Sequence, residues 1–203
     1  QTLVTQKVES SSPLDGLSAP EQRLLHVLAV FGRALGPETL RLLTALPGNQ
    51  LARGIASLAT KGVVEKIIVD GELRIGFARA GDQSAVYDRI PVAERRELHT
   101  CIADYLEQQG EAELEARAGH LLVAGHGARA VSAALAAGQR LEIAFSFECA
   151  ADLYEKALPL ADSEPVRHEL TTKLCAVYEV TGQLDRALQH AEACRERAPE
   201  DPE

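Results

Sequence analysis

Apolar residues recur at helical spacing through the first third of the chain and are punctuated by glycine and proline. Three apolar stripes have the three- and four-residue spacing of amphipathic helices. Their members are Leu24, Leu25, Leu28 and Phe31, then Leu40, Leu43 and Leu46, then Leu51, Ile55 and Leu58. Ser18-Ala-Pro-Glu21 precedes the first stripe and has the spacing of a capping box. The sequence therefore predicts three helices between Ser18 and Gly62.

After Gly62 the period changes from helix to strand. Val63 to Val69 is rich in β-branched residues, Asp70-Gly71 is a two-residue turn signal, and apolar and polar residues then alternate as far as Phe77. This pattern predicts a β-hairpin. Three helices followed by a β-hairpin is the order of elements in a winged helix.

Helical periodicity returns near Gln83 and is interrupted at Pro91. A helix is predicted from Val92 to Gln109, and about five more from Glu113 to near Arg197, with turns at Gly125-His-Gly127, near Phe145, around Pro165 and at Gly182. We therefore expect a linker or lead-in at 1–16, a winged-helix-like domain at 17–90 and a helical repeat domain at 91–203.

The second half of the chain contains an internal repeat. The repeat has an offset of 37 positions (187 − 150). It relates Ala150, Tyr154, Ala157 and Leu158 to Ala187, Ala191, Cys194 and Arg195, in that order. A period of this size is typical of stacked helical hairpins. Tyr154 to Leu158, Gly182 to Ala187 and Pro199 resemble the second helix, turn and stop of a tetratricopeptide (TPR) repeat. The predicted fold is mainly α, a winged-helix unit with one β-hairpin followed by a TPR-like α-solenoid.

The order of segments resembles a region of large bacterial signalling ATPases of the AAA+/STAND type, which include multidomain Ser/Thr kinases, adenylate cyclases and transcription regulators. The resemblance is carried by the winged-helix pattern, Tyr87-Asp-Arg-Ile-Pro-Val-Ala-Glu-Arg-Arg-Glu-Leu-His99, Ile102-Ala-Asp-Tyr-Leu-Glu107, Ala118-Gly-His120, Ala124-Gly125 and the TPR-like hairpins. It implies an ATPase module upstream, a winged helix that acts as a regulatory lever on that module, and repeats that receive a partner. No GxxxxGK[ST] phosphate loop occurs in the chain, so we expect no ATP hydrolysis by it.

The net charge of −9 lies almost entirely in the second half: residues 18–110 hold eleven acids and eleven Lys/Arg, whereas 111–203 hold seventeen and nine. An acidic repeat array repels phosphate backbones, which disfavours nucleic acid as a partner. The alternative is a solvated acidic face with no functional meaning. No apolar run spans a bilayer and no signal segment opens the chain, which favours the cytoplasm. The chain starts at Gln1 and has no methionine, so we expect either a fragment of a longer protein or a processed product.

Candidate chemistry is sparse. His99, His120 and His126 lack the spacing that places two ligands on one helical face, so we expect no metal or cofactor. No nucleophile motif is present, and we expect no catalytic residues and no enzyme activity. The four cysteines have no metal-clip spacing and are predicted to be buried reduced thiols.

Two binding hypotheses follow. Projecting the TPR pattern places a partner surface, suited to a basic peptide, on Ser132, Gln139, Glu142, Glu169, Thr172, Ala176 and Glu179. The alternative is a DNA-binding transcription regulator that reads DNA with its third helix, which offers Arg53 and Lys61.

Overall fold

The computed structural model describes Leu14 and residues 16–197, apart from the side chains of residues 194, 196 and 197. Two compact units are present, Gln1–Arg95 and Arg96–Glu203. Within the described residues the chain is mainly helical with one two-stranded antiparallel sheet, as predicted. Most of the predicted lead-in and the acidic tail from residue 198 lie outside the described residues.

The first unit begins with three helices at the predicted places: α1 (Ala19–Phe31), α2 (Pro37–Thr44) and α3 (Gly48–Thr60). The capping box of α1 is formed, and in it the Ser18 amide donates to Glu21 Oε2 at 2.7 Å. The helix ends at Gly32, whose φ of 83° is left-handed and favours glycine. Local capping chemistry therefore fixes both ends of α1.

The predicted hairpin follows as β1 (Val64–Val69) and β2 (Glu72–Phe77), paired from Val64 opposite Phe77 to Val69 opposite Glu72. Asp70 and Gly71 both have positive φ, 54° and 80°, as a tight two-residue hairpin turn requires. Leu35 exchanges two backbone hydrogen bonds with Ile75, at 2.8 and 2.9 Å. The connection between α1 and α2 is therefore tied to the sheet.

Helix α4 (Ala80–Arg89) completes the elements that lie wholly in this unit. Helix α1 contacts α2, α3 and α4, while α2 and α4 also contact β2. The apolar stripes read from the sequence are buried, among them Leu24, Leu28, Leu40, Leu58 and Ile75.

The second unit is a succession of helices. Helix α5 (Val92–Gln108) crosses the division between the units and is followed by α6 (Leu114–Ala124), α7 (Gly127–Ile143), α8 (Phe147–Ala157), α9 (Glu164–Val180) and α10 (Leu184–Arg197). From α6 onward each helix contacts the next in the chain. Short 3₁₀ turns at Glu111–Glu113 and Leu158–Leu160 precede α6 and follow α8.

Small residues dominate the core of this unit. In α7 the buried positions include Ala130, Ala134, Ala137 and Gly138, which let neighbouring helices approach closely. The large buried side chains Tyr154 and Tyr178 are 0% and 1% exposed. The alanine-rich run of α7 is therefore a packing surface.

The prediction of buried thiols is wrong for two cysteines. Cys101 and Cys149 are exposed, because they lie on the open sides of α5 and α8, while Cys175 is half-buried. None of these three cysteines is in a disulfide, and the Cys175 thiol donates a hydrogen bond to the Ala187 carbonyl oxygen at 3.4 Å. Among the described residues, none of the helices is both long enough and apolar enough to cross a membrane.

Candidate functional site

Two consecutive helical hairpins repeat each other with an offset of 37 residues. Helix α9 begins and ends 37 positions after α7 (164 − 127 and 180 − 143), and α10 begins 37 positions after α8. The offset found in the sequence is thus the offset of the helices.

The turns inside the two hairpins also have the same pattern of backbone hydrogen bonds. Three amides at the end of each first helix donate to carbonyls of its last turn, at 2.8–3.1 Å. In the first turn they are Ala144 to Arg140, Phe145 to Glu142 and Ser146 to Leu141; in the second they are Thr181 to Val177, Gly182 to Glu179 and Gln183 to Tyr178. Every donor and acceptor has its counterpart 37 positions on.

The projected partner residues lie on α7 and α9, the first helices of these hairpins. Ser132 and Gln139 of α7 and Glu169, Thr172, Ala176 and Glu179 of α9 are all exposed. Ser132 and Glu169 are equivalent positions, as are Gln139 and Ala176. The two helices thus offer the same positions to solvent, and we call this set the hairpin face.

A groove of about 310 Å³ lies at the α7 side of the hairpin face. Its apolar lining comes from Val131, Leu135 and Val166, with smaller contributions from two alanines. Ser132, Gln139 and Asp162 supply its polar groups. The groove has the mixed character of a site for an apolar side chain flanked by hydrogen-bonding groups.

Glu142 differs from the other projected residues, because its carboxylate is half-buried and has partners within the chain. It is half-buried and accepts a hydrogen bond from the Tyr154 hydroxyl at 2.5 Å, while the Lys173 ammonium lies 3.4 Å away. Burial and the Glu142 carboxylate raise the pKa of Tyr154 well above its ordinary value. Sequence spacing alone did not reveal this buried tyrosine partner.

Acidic groups outnumber basic ones on α9. Its carboxylates are Glu164, Glu169 and Glu179, of which Glu164 lies 3.6 Å from Arg167. Glu169 and Glu179 are exposed. The hairpin face therefore offers negative charge beside an apolar groove.

The residues of the DNA hypothesis lie on or next to α3. Arg53 is exposed, but the Lys61 ammonium contacts Glu21 Oε1 at 2.7 Å. Burial raises the pKa of Glu21, yet hydrogen bonds from Lys61, Ser57 and Ser18 outweigh it and lower that pKa to about 2. Lys61 is thus held by an internal carboxylate.

The three histidines form two separate contacts. His99 and His120 face each other with Nδ1 atoms 2.7 Å apart, while His126 Nε2 lies 2.6 Å from the Thr100 hydroxyl. Within residues 16–197 no three His, Cys, Asp or Glu side chains are grouped as a metal site. The His99–His120 contact joins two helices and could not be read from spacing.

Comparison with known proteins adds no assignment. No family model matches the chain, and no match was found among curated proteins or solved structures.

Proposed function

We propose that this chain is a non-enzymatic protein-interaction region in which TPR-type hairpins hold a segment of a partner protein along the hairpin face. The single observation that carries the proposal is the repetition of helix bounds and turn hydrogen bonds at 37 residues. Stacked hairpins of this kind bury one side against each other and leave a continuous row of first-helix positions for a ligand.

The chemistry of the hairpin face indicates the partner. The groove accepts an apolar side chain, and Glu169 and Glu179 lie exposed on the adjoining helix. A peptide that combines an apolar anchor with Lys or Arg complements both features.

The first unit is proposed to be the coupling element, a winged helix that transmits occupancy of the repeats to an ATPase module of a larger bacterial signalling protein. Its three helices and tied β-hairpin support this role. The upstream module itself rests on the sequence resemblance. The proposed setting is the cytoplasm.

A displayed library of random peptides tests the interaction proposal. We expect selection on the protein to enrich peptides with an apolar residue beside Lys or Arg. Gln139→Arg places a positive charge at the groove and should weaken the selected peptides at least tenfold, about 1.4 kcal/mol.

Gln189→Arg is the matched control, since Gln189 is an exposed glutamine of α10 outside the groove. It should leave binding within about twofold of the original protein. Equal binding by the two variants, or no enrichment over an unrelated helical protein, would contradict the proposal.

A further inference from the structure

A second cleft in the helical unit lies apart from the hairpin face. It is lined by α5, α6, α8 and the 3₁₀ turn Leu158–Leu160, and its volume is about 660 Å³. Clefts of about 300–1,000 Å³ are the size that holds small organic ligands. The apolar part of its wall comes mainly from Leu122, Val123, Leu153 and Pro159.

Two imidazoles, His99 and His120, stand in the wall of this cleft. Their ring centroids are 4.9 Å apart, the ring planes are tilted by 46°, and the two Nδ1 atoms lie 2.7 Å from each other. A hydrogen bond at this distance needs one Nδ1 with a proton and one without. In a pair of neutral imidazoles, the ring whose Nδ1 accepts this bond carries its proton on Nε2, and that N–H is a hydrogen-bond donor.

Lys156 brings an ammonium to the same cleft. It pairs with Asp152 at 2.5 Å, but the two side chains are 60% and 56% exposed. Exposed pairs four residues apart on a helix are weak, so the ammonium can turn to a ligand at little cost.

The balance of charge in the cleft differs from that of its surroundings. The charges of Lys156 and Asp152 in its lining cancel, whereas residues 111–203 together carry −8. A mostly apolar cleft that has no excess of acidic groups, and that offers an ammonium and two imidazoles, favours a ligand with an acidic group and an apolar body.

We propose that this cleft binds a small organic anion, whose acidic group is held by Lys156 and the His99–His120 pair while its apolar body packs on Leu122, Val123 and Leu153. Such a ligand would touch α5, α6 and α8 at once. The site is independent of the proposed peptide-binding role.

The probe is 1-anilinonaphthalene-8-sulfonate, and its comparison is N-phenyl-1-naphthylamine, which has the same rings without the sulfonate. Fluorescence titration should show saturable binding of the sulfonate at one site, several-fold tighter than that of the uncharged ring. Lys156→Met should weaken the sulfonate roughly fivefold, the size of a half-exposed ion pair, and leave the uncharged ring within about twofold. Lys66→Met, at an exposed lysine of β1, is the matched control and should change neither.

Gly119→Leu tests the location. Gly119 lines the cleft, and a Cβ atom built on it meets nothing within 4 Å, so the side chain enters the cleft without a clash at its base. Both probes should lose at least tenfold in affinity. Val123→Glu, at a wall residue that is 51% exposed, is the second variant and should weaken the sulfonate more than the uncharged ring.

Circular dichroism establishes that each variant is folded. Failure of the sulfonate to saturate, or binding that neither Gly119→Leu nor Val123→Glu changes, would overturn the site. Equal affinity for the two probes together with an inert Lys156→Met would overturn the anionic character of the ligand.

Discussion

Gly138 of α7 lies directly against the ring of Tyr154 of α8. A Cβ atom built on Gly138 would stand 2.3 Å from Cε1 of that ring and 2.7 Å from its hydroxyl oxygen. Tyr154 is 0% exposed and its hydroxyl is bonded to Glu142, so the ring has nowhere to move. In the next hairpin the equivalent positions are Cys175 and Ala191, so the larger residue stands on the other helix of the pair.

Gly138→Ala is expected to destabilise the protein. Alanine in a helix is ordinarily better than glycine by roughly 0.5–1 kcal/mol, but here the methyl group would overlap the tyrosine ring. We expect a net loss of about 1–3 kcal/mol in the free energy of unfolding, measured by urea denaturation.

Gly119→Ala is the control, because Gly119 lies inside α6 and its added methyl group meets nothing within 4 Å. It should raise stability by up to about 1 kcal/mol. A neutral or stabilising Gly138→Ala would show that α7 and α8 can separate at this point.

Local patterns predicted most of the fold. The stripes of α1 to α3 and the Asp70-Gly71 turn are dictated by residues close together in sequence, as are the glycines that end helices, and the structure confirms them. The 37-residue offset could also be predicted from the sequence, because it depends only on the spacing of residues along the chain.

Contacts between helices could not be predicted from the sequence in the same way. The sequence contains no local signal that Gly138 must accommodate Tyr154, or that His99 meets His120 across 21 positions. Similarly, the sequence offered Lys61 as a DNA-binding residue, whereas in the fold its ammonium contacts the Glu21 carboxylate. Which side of a helix is covered depends on its neighbours, and this is why the exposure of Cys101 was predicted wrongly.

Stability should fall on the acid side as Glu21 is protonated. Its pKa is about 2 in the folded chain against an ordinary 4.5, so the ionised carboxylate stabilises the fold above pH 4.5. This contribution, at most about 3 kcal/mol, is lost as the pH falls from 4.5 towards 2. Urea denaturation at a series of pH values measures it.

Glu21→Gln should lower stability at neutral pH and flatten the loss between pH 4.5 and 2. Glu65→Gln, at an exposed position of β1, should instead follow the original protein. If Glu21→Gln keeps the full acid-dependent loss, the buried contacts of Glu21 do not govern it.

The turns between paired helices give a second test of the repeat. Phe145 and Gly182 occupy equivalent positions with φ of 58° and 73°, which side chains other than glycine adopt at a cost of about 1–2 kcal/mol. The Phe145 ring is 81% exposed and meets the Phe147 ring edge-on, with the ring centroids 6.1 Å apart. Phe145→Gly should therefore raise the free energy of unfolding by about 0.5–1 kcal/mol, since relief of strain exceeds the loss of one exposed ring contact.

Gly182→Ala is the reciprocal change and should lower stability by about 1 kcal/mol, because it introduces the strain that Phe145 carries. Thermal denaturation of both variants suffices. Changes of the same sign at the two positions would mean that the two turns are not equivalent in energy.

Alkaline pH should destabilise the helical unit through its two buried tyrosines. Burial and the Glu155 carboxylate, 2.5 Å from the hydroxyl, raise the pKa of Tyr178 to about 12 from an ordinary 10.0. The pKa of Tyr154 is raised as well, by burial and Glu142. Because the neutral phenols are favoured in the folded state, their contribution is complete below pH 10 and is lost as the pH rises towards 12.

Near-ultraviolet absorbance of tyrosinate, recorded with circular dichroism, follows this transition. Loss of helix should accompany ionisation of the buried tyrosines above pH 10. Tyr178→Phe should lower stability at neutral pH by about 1–2 kcal/mol, since Glu155 loses a donor but keeps Arg186 at 2.8 Å. The same variant should also lose less stability than the original protein between pH 10 and 12. An unchanged alkaline loss would show that Tyr178 ionises without opening the contact between α8 and α9.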